Sequence, residues 1–536
     1  MKIKNLLLIA CLCFNVSFFA QTPSEDFEIA WSNHKKYKNT LKLIGAKKTD
    51  EGYLVFNKET IKGPGGWRYF IESYDNKMNF IRKFDISEQV DEKNYRIQDI
   101  INYGDDFLLI STRVFKKEKR KETYIQKIGE SQSNIIGKRV KINNEVLYKK
   151  KGHSSYHLTT SPNDKYLLFQ IIPYYTKKRP ENMSLILLDE DLKIYWEEEK
   201  VEVLGVSPDG KLRFQIKNIV LNDLGEVFII GKEGAKTPYS RHLHTGSRIN
   251  LYEDKDQFYK IYKLVEGNYT GESITLDKQG LKRMDIQVSK NNTLHCLGYF
   301  TENPKEAEIE GVASYIIDSD LSEIITEQFY LFDEDFYSID VSGKSDRKAD
   351  KMRKSEINRF DDLVNEEIVQ NEDGSMALIG EIQYSYTYTS GSGDNQTTKT
   401  KYVYGSIVVS NIDVNGEVTS NTQIKKSTTF SRPSPKHNLM ISLNEDFYRI
   451  TSCRRSDFDD ADPNKNQKDK FLKVIKIDAN GDQIEEALVE IQKAPNHNKT
   501  VIKGVDTDGI VLPNNDILLL VNHSKKEYKI LLIKPL

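Results

Sequence analysis

Cysteine is scarce in this chain of 536 residues: there are four, and Cys11 and Cys13 fall within the first 20 positions. Cys296 and Cys453 lie on strand-like segments two repeat units apart in the pattern described below. Their Cα atoms are therefore expected outside the roughly 7 Å that a disulfide tolerates, and both are expected as free, buried thiols. Proline is also sparse, at 14 residues, and no Pro/Gly/Ser-rich linker divides the chain, which favours one large domain over several small ones. No apolar run after residue 20 is long enough to cross a bilayer, so no transmembrane segment is expected. Charge of one sign is missing too: 78 basic and 80 acidic residues leave a net charge of -2, which offers no field for nucleic acid. The usual catalytic signatures are absent, including the Gly-x-Ser-x-Gly elbow, His-Glu-x-x-His, the Walker loop and the dinucleotide fingerprint, and nine histidines are too scattered to form a triad.

What the chain does have is a recurrent four-part pattern of apolar runs, repeating at roughly 50 to 80 residues, which is how a β-propeller blade appears in sequence. Each unit opens on a run followed by a tight polar turn, as in Thr49-Asp50-Glu51-Gly52, Asn222-Asp223-Leu224-Gly225, Asn371-Glu372-Asp373-Gly374 and Pro513-Asn514-Asn515-Asp516. Asn, Asp and Gly recur because they accept positive φ or hydrogen-bond their own backbone, as hairpin connections require. A second turn follows the third run, as in Tyr74-Asp75-Asn76-Lys77, Ile317-Asp318-Ser319-Asp320 and Ile477-Asp478-Ala479-Asn480-Gly481. These aspartates read as turn formers rather than metal ligands.

The last unit, from Ile510 to Leu536, has only three strands, while an orphan strand, Asp26 to Trp31, precedes the first complete unit. Joining the two removes an open edge. The expected fold is therefore all-β, a single propeller of eight four-stranded blades, or seven if one unit is an insertion, with the ring closed by the N-terminal strand. One inserted helix is expected over 345–367, where Ile357, Phe360, Leu363 and Val364 share a helical face.

Residues 1–20 have the form of a signal peptide: Lys2 and Lys4, an apolar stretch from Leu6 to Phe19, and Ala20 at the cleavage position. A lipobox at Leu8-Ile9-Ala10-Cys11 is the competing reading and leaves too short an apolar core. The mature chain, 21–536, is thus expected to be exported to the periplasm, the cell surface or the medium.

Long insertions cluster in the connections between second and third strands and between units, whereas the other connections stay tight. Both long classes open on one face of a propeller, and long loops on a rigid scaffold are where recognition usually sits. Three of them carry distinct chemistry. Tyr239, Arg241, His242, His244 and Arg248 crowd one loop and can grip an anion, with imidazoles that change charge near neutral pH. Tyr384, Tyr386 and Tyr388 alternate on one strand and Tyr402 and Tyr404 on the next, a long hairpin with an aromatic face suited to a sugar or a peptide. Asp457, Asp459, Asp460 and Asp462 offer alternating oxygens for calcium, but the sharp-turn Gly and the terminal Glu of a calcium loop are replaced by Asp462 and Lys468.

Two strings, Ser161-Pro162-Asn163-Asp164-Lys165 and Ser207-Pro208-Asp209-Gly210-Lys211, resemble the Ser-Pro-Asp-Gly-Lys strand-turn motif of WD40-like and periplasmic translocation-type bacterial propellers. The resemblance implies a propeller that binds protein or ligand, and brings no catalytic residues with it. The function expected from the whole is a noncatalytic binding or scaffolding module for a protein or glycan partner in the cell envelope, with no cofactor. A secreted polysaccharide hydrolase or lyase with a central pocket is the alternative.

Overall fold

A computed structural model describes residues 27–32, 35–36, 41–60, 67–86, 95–103, 106–115, 117–128, 139–146, 155–172, 184–198, 214–233, 258–278, 280–289, 291–303, 309–333, 336, 363–371, 373–390, 396–424, 428–430, 438–443, 446–454, 470–478, 480–490, 504–512, 514–524 and 527–536. Within them the regular elements are all β-strands. They form eight four-stranded antiparallel sheets, seven of them meanders of consecutive strands, with short extra strands added to the sixth and eighth. Numbered along the chain, the sheets span 41–85, 95–146, 155–198, 214–276, 281–331, 363–424, 438–490 and 504–535.

The local reason is visible in sheet five. Its middle strands, Leu294–Phe300 and Gly311–Ile317, are buried at every position, and its last strand, Ile324–Leu331, is largely exposed. A strand covered on both faces needs a continuous apolar run, and the outermost strand of a radial sheet can afford polar residues. The sheets cover one another in chain order. Phe56 and Tyr69 of sheet one pack with Ile100 and Phe107 of sheet two, and Leu108 and Ile125 of sheet two pack with Phe169 and Ile186 of sheet three. Equivalent apolar clusters join three to four, four to five, five to six, six to seven and seven to eight. The eighth cluster joins Leu518 and Leu520 of sheet eight to Tyr53 and Val55 of sheet one, so the packing order returns to its start.

The expected donation of the N-terminal strand is found. Phe27–Trp31 pairs antiparallel with Glu527–Pro535, Phe27 opposite Pro535 and Trp31 opposite Leu531. Ser32 extends the join: its N–H donates to Ile530 O at 2.9 Å and its Oγ accepts from Ile530 N at 2.8 Å. The first and last sheets are tied again where the Tyr53 hydroxyl donates to Asp516 Oδ2 at 2.6 Å, with Lys48 Nζ 3.2 Å from the same carboxylate.

The second turns behave as turn formers. In Asp75, Asp189, Asp413 and Asp478 one carboxylate oxygen accepts backbone N–H groups two and four residues on, at 2.8 to 3.0 Å. Asn222 does the same in a first turn. These side chains are consumed by their own loops.

Two expectations are corrected. The last part of the expected helix is a strand: Leu363–Gln370 opens sheet six, and 337–362 lie outside the described residues. The strand's register shifts between Asn365 and Glu367. Thr112 to Glu122, which in sequence reads as one of the insertions between second and third strands, is mostly strand as well, because Asp106–Phe115 and Arg120–Ile128 continue to a short turn.

Candidate functional site

In a meander the first and third connections open at one end of the sheet and the second connection at the other. The self-capped turns therefore share one face, and the second connections open on the opposite one; sheet two reverses the usual lengths, with eleven residues between Ile128 and Val140 and four between Phe115 and Arg120. Three constellations lie on or towards that second face.

The first runs along the opening strands. In six sheets that strand carries an irregularity in register, between Leu43 and Gly45, Ile97 and Asp99, Ile216 and Asn218, Lys282 and Asp285, Asn365 and Glu367, and Asp506 and Ile510. An extra residue in one strand re-aims a side chain, and here Gln98, Lys217 and Arg283 emerge exposed, Arg283 with φ of 52°. Their neighbours tie sheets together: Asn218 of sheet four donates to the Asp285 carboxylate of sheet five, and the Tyr69 hydroxyl of sheet one donates to Gln98 O of sheet two at 3.0 Å. Burial raises the Asp285 carboxyl above the usual carboxylate range, against the hydrogen bonds from Ile286 N and Asn218.

The second is a cationic and aromatic cluster on sheet two. The Arg139 guanidinium lies 3.9 Å from the centre of the Tyr95 ring, which meets Tyr124 edge-on at 5.4 Å. Arg120 lies 3.6 Å over Phe115. Glu122, nearly buried, accepts from Arg120, from Tyr124 and from Lys141 Nζ, the last at 2.9 Å. On the other face of the same strand, buried Lys121 donates to the Tyr156 hydroxyl of sheet three at 2.6 Å, and Thr123 Oγ1 lies 2.9 Å from that oxygen. This cluster is internally satisfied, so it holds sheet two rigid rather than offering open ligands.

It has a consequence for acid stability. Burial alone would raise the Glu122 carboxyl, but hydrogen bonds from Tyr124, Lys141 and Arg120 hold it down to about 2. A carboxyl lowered in the folded state contributes stability that is complete above its unfolded value and is lost as pH falls through the folded one. The unfolding temperature should therefore drop more steeply between about pH 4.5 and pH 2 for the natural chain than for Glu122→Gln. Parallel profiles in a thermal melt series would contradict this.

The third is the sixth-sheet hairpin, Met376–Ser390 and Thr397–Ile412, which runs on past the strands beside it. The opening strand pairs it only as far as Ile382, and Val418–Ile424 only as far as Ile407. Thr428–Phe430 braces its base at Tyr402, Val403 and Tyr404. Tyr384 is half-buried against the cluster between sheets five and six, while Tyr386 and Tyr388 are 47% and 38% exposed. Their ring centres are 6.2 Å apart.

The tyrosines of the two strands do not form one aromatic face. Register shifts between Glu381 and Gln383, where Ile382 faces Gly405 and Ser406, and this turns the alternation of the returning strand by one position. Tyr384, Tyr386 and Tyr388 consequently stand opposite Val403, Lys401 and Lys399, while Tyr402 and Tyr404 stand opposite Ser385 and Gln383 on the other side.

Tyr239, Arg241, His242, His244 and Arg248 lie outside the described residues, as do Asp457, Asp459, Asp460 and Asp462 and residues 1–20. Among the described residues no group of three His, Cys, Asp or Glu is placed to hold a metal ion. No helix among them is long and apolar enough to cross a membrane. Cys296 is buried and free, and burial pushes its thiol up, away from reactivity. The Cys453 position on its strand is opposite Phe471. Sequence reasoning missed the sheet-two cluster, whose members Tyr95, Arg120, Glu122, Tyr124 and Arg139 are brought together only by strand register.

No family model matches the chain, and no curated protein does. Among solved structures, it is similar to the β-propeller domain of the Trilobed protease from Pyrococcus furiosus, at 11% identity, covering 87% of this chain and all of that one, with a TM-score of 0.35. The WD40 domain of SCAP from fission yeast matches at 8% identity over 95% and 94% of the two chains, with a TM-score of 0.34. A member of the DUF4221 family from Bacteroides vulgatus matches at 9% identity over 86% and 99%, with a TM-score of 0.26. These likenesses concern the fold and bring no site residues.

Proposed function

We propose that this β-propeller is an exported, noncatalytic binding module that recognises a protein or glycan in the bacterial cell envelope on its long-loop face. In this reading the eight sheets are eight blades and Phe27–Trp31 closes the ring. The cyclic order of the apolar clusters and the pairing of both chain ends in one sheet support it. The signal-like segment 1–20 supports export.

The observation that carries the reading is the contrast between the two faces. On the tight-turn face the aspartates bond their own backbone, whereas on the other a braced hairpin stands out with Tyr386 and Tyr388 exposed. A large amphipathic ring exposed on a rigid element binds with little ordering cost. The segment from Tyr239 to Arg248, which in sequence falls between the second and third strands of sheet four, is proposed to contribute anion binding to this site. If its histidines take part, binding of an anionic partner is expected to weaken as pH rises through the range where a free imidazole loses its charge.

The test is a mixed glycan and peptide array probed with the natural chain and with Tyr386→Ala/Tyr388→Ala. The reading expects retained folding and about a tenfold or greater loss of affinity for the captured ligand. Capture unchanged by the double substitution would remove the hairpin from the site.

A further inference from the structure

The geometry points to a linear, carboxylate-bearing polysaccharide as the ligand of the Tyr386 and Tyr388 face, with Lys399 and Lys401 reading its charges. This rests on the proposed role of the long-loop face in binding and names the ligand class for it.

The register places Tyr386 directly opposite Lys401 and Tyr388 directly opposite Lys399. Residues directly opposite on an antiparallel pair project from the same side of the sheet, about 5 Å apart at Cβ. One side of the hairpin is thus a two-by-two array of tyrosines and lysines. The other side presents Ser385, Thr387, Thr389, Thr398 and Thr400 and carries no charge, with Thr387 Oγ1 and Thr400 Oγ1 3.3 Å apart. The register shift at Ile382 creates this division. Without it, Tyr402 and Tyr404 would stand beside the other tyrosines and the lysines would point away.

Within the described residues, neither lysine has an ion pair and neither sits over a tyrosine ring. Lys399 and Lys401 therefore keep their charges available beside two exposed rings. The rings supply apolar area for the C–H faces of pyranose units, and each hydroxyl can take a hydrogen bond from or give one to a sugar oxygen. The ammonium groups supply point charges for carboxylates. The tyrosine spacing of 6.2 Å lets two rings follow consecutive positions along an extended chain. A neutral glycan would leave both lysines unused, and a purely charge-driven ligand would leave both tyrosines unused.

The experiment measures retardation of the full chain in gels containing polygalacturonate, alginate or hyaluronate, each at several salt concentrations, with galactan and poly-glutamate as controls. Binding to at least one uronate polymer is expected, weakening as salt rises. Tyr386→Ala/Tyr388→Ala should lose about tenfold at every salt, and Lys399→Gln/Lys401→Gln about tenfold at low salt with a flatter salt dependence. Thr387→Ala/Thr389→Ala, on the opposite side, should bind as the natural chain does. Absence of binding to all three uronate polymers overturns the inference, as does equal binding to poly-glutamate. Galactan binding that depends on the tyrosines and not on the lysines overturns it while leaving the binding-module reading intact. A chain that captures nothing from any glycan or peptide array overturns that reading itself.

Discussion

A chain lacking residues 1–31 is expected to melt at a markedly lower temperature than one retaining the N-terminal strand, and to associate. The strand supplies the outer member of sheet eight, and its loss exposes the edge of residues 531–535, a ready template for pairing with another chain. It also removes Phe27, which is 2% exposed between sheets seven and eight and meets Tyr448 edge-on at 5.4 Å. Deleting a buried Phe side chain costs about 3–5 kcal/mol by itself, so Phe27→Ala should reproduce much of the stability loss without opening the edge. The two variants separate packing from pairing: both should melt early, and only the truncated chain should associate in sedimentation. A truncated chain that melts with the intact one and stays monomeric would contradict closure by this strand.

The second large effect is expected at Gly52, in the first hairpin turn. Its φ is 141°, and a Cβ there would fall 2.1 Å from Tyr74 O and 2.6 Å from Asp75 C. Both are backbone atoms of the adjoining strand, so relief requires the sheet to move. A residue held in a region nearly closed to side chains costs about 1–3 kcal/mol before any clash is counted, and Gly52→Ala should exceed that. Gly374 is the control: its φ of 97° is equally unsuited to a side chain, but the nearest atom to a built Cβ is 3.7 Å away. Gly374→Ala should cost only the backbone term. Equal unfolding temperatures for the two variants would show that the close approach at Gly52 relaxes freely.

Much of this fold is written in short-range chemistry, and those parts are legible in sequence. Asn-Asp-Leu-Gly at 222–225 and Asp478-Ala-Asn-Gly481 make hairpins because their side chains bond the backbone two and four residues on, a local property. The orphan strand was legible for a similar reason: the last unit lacks one strand and 26–31 has the pattern of one. Register irregularities are less legible. Those at Asn365 and Glu367 and at Ile382 break the alternation of their strands, and the second sends Tyr402 and Tyr404 to the side opposite the expected one. Each depends on which residue the neighbouring strand pairs with, and a single sequence read along its length does not contain that. The Glu122 cluster illustrates the same limit, since Arg139 and Tyr95 are 44 positions apart and meet only through four paired strands.

The central claim is that one face of this molecule recognises and the other only connects. Its most direct test is the affinity for one captured ligand, measured by calorimetry on three proteins: the natural chain, Asp75→Asn/Asp318→Asn/Asp478→Asn, and Tyr386→Ala/Tyr388→Ala. Asparagine keeps the side-chain oxygen that accepts the turn's N–H groups, so the first variant removes three charges from the tight-turn face with its turns intact. Natural affinity is expected for the triple variant and about a tenfold or greater loss for the tyrosine pair, with both proteins folded. Lost affinity in the triple variant alongside full affinity in the tyrosine variant would place recognition on the opposite face.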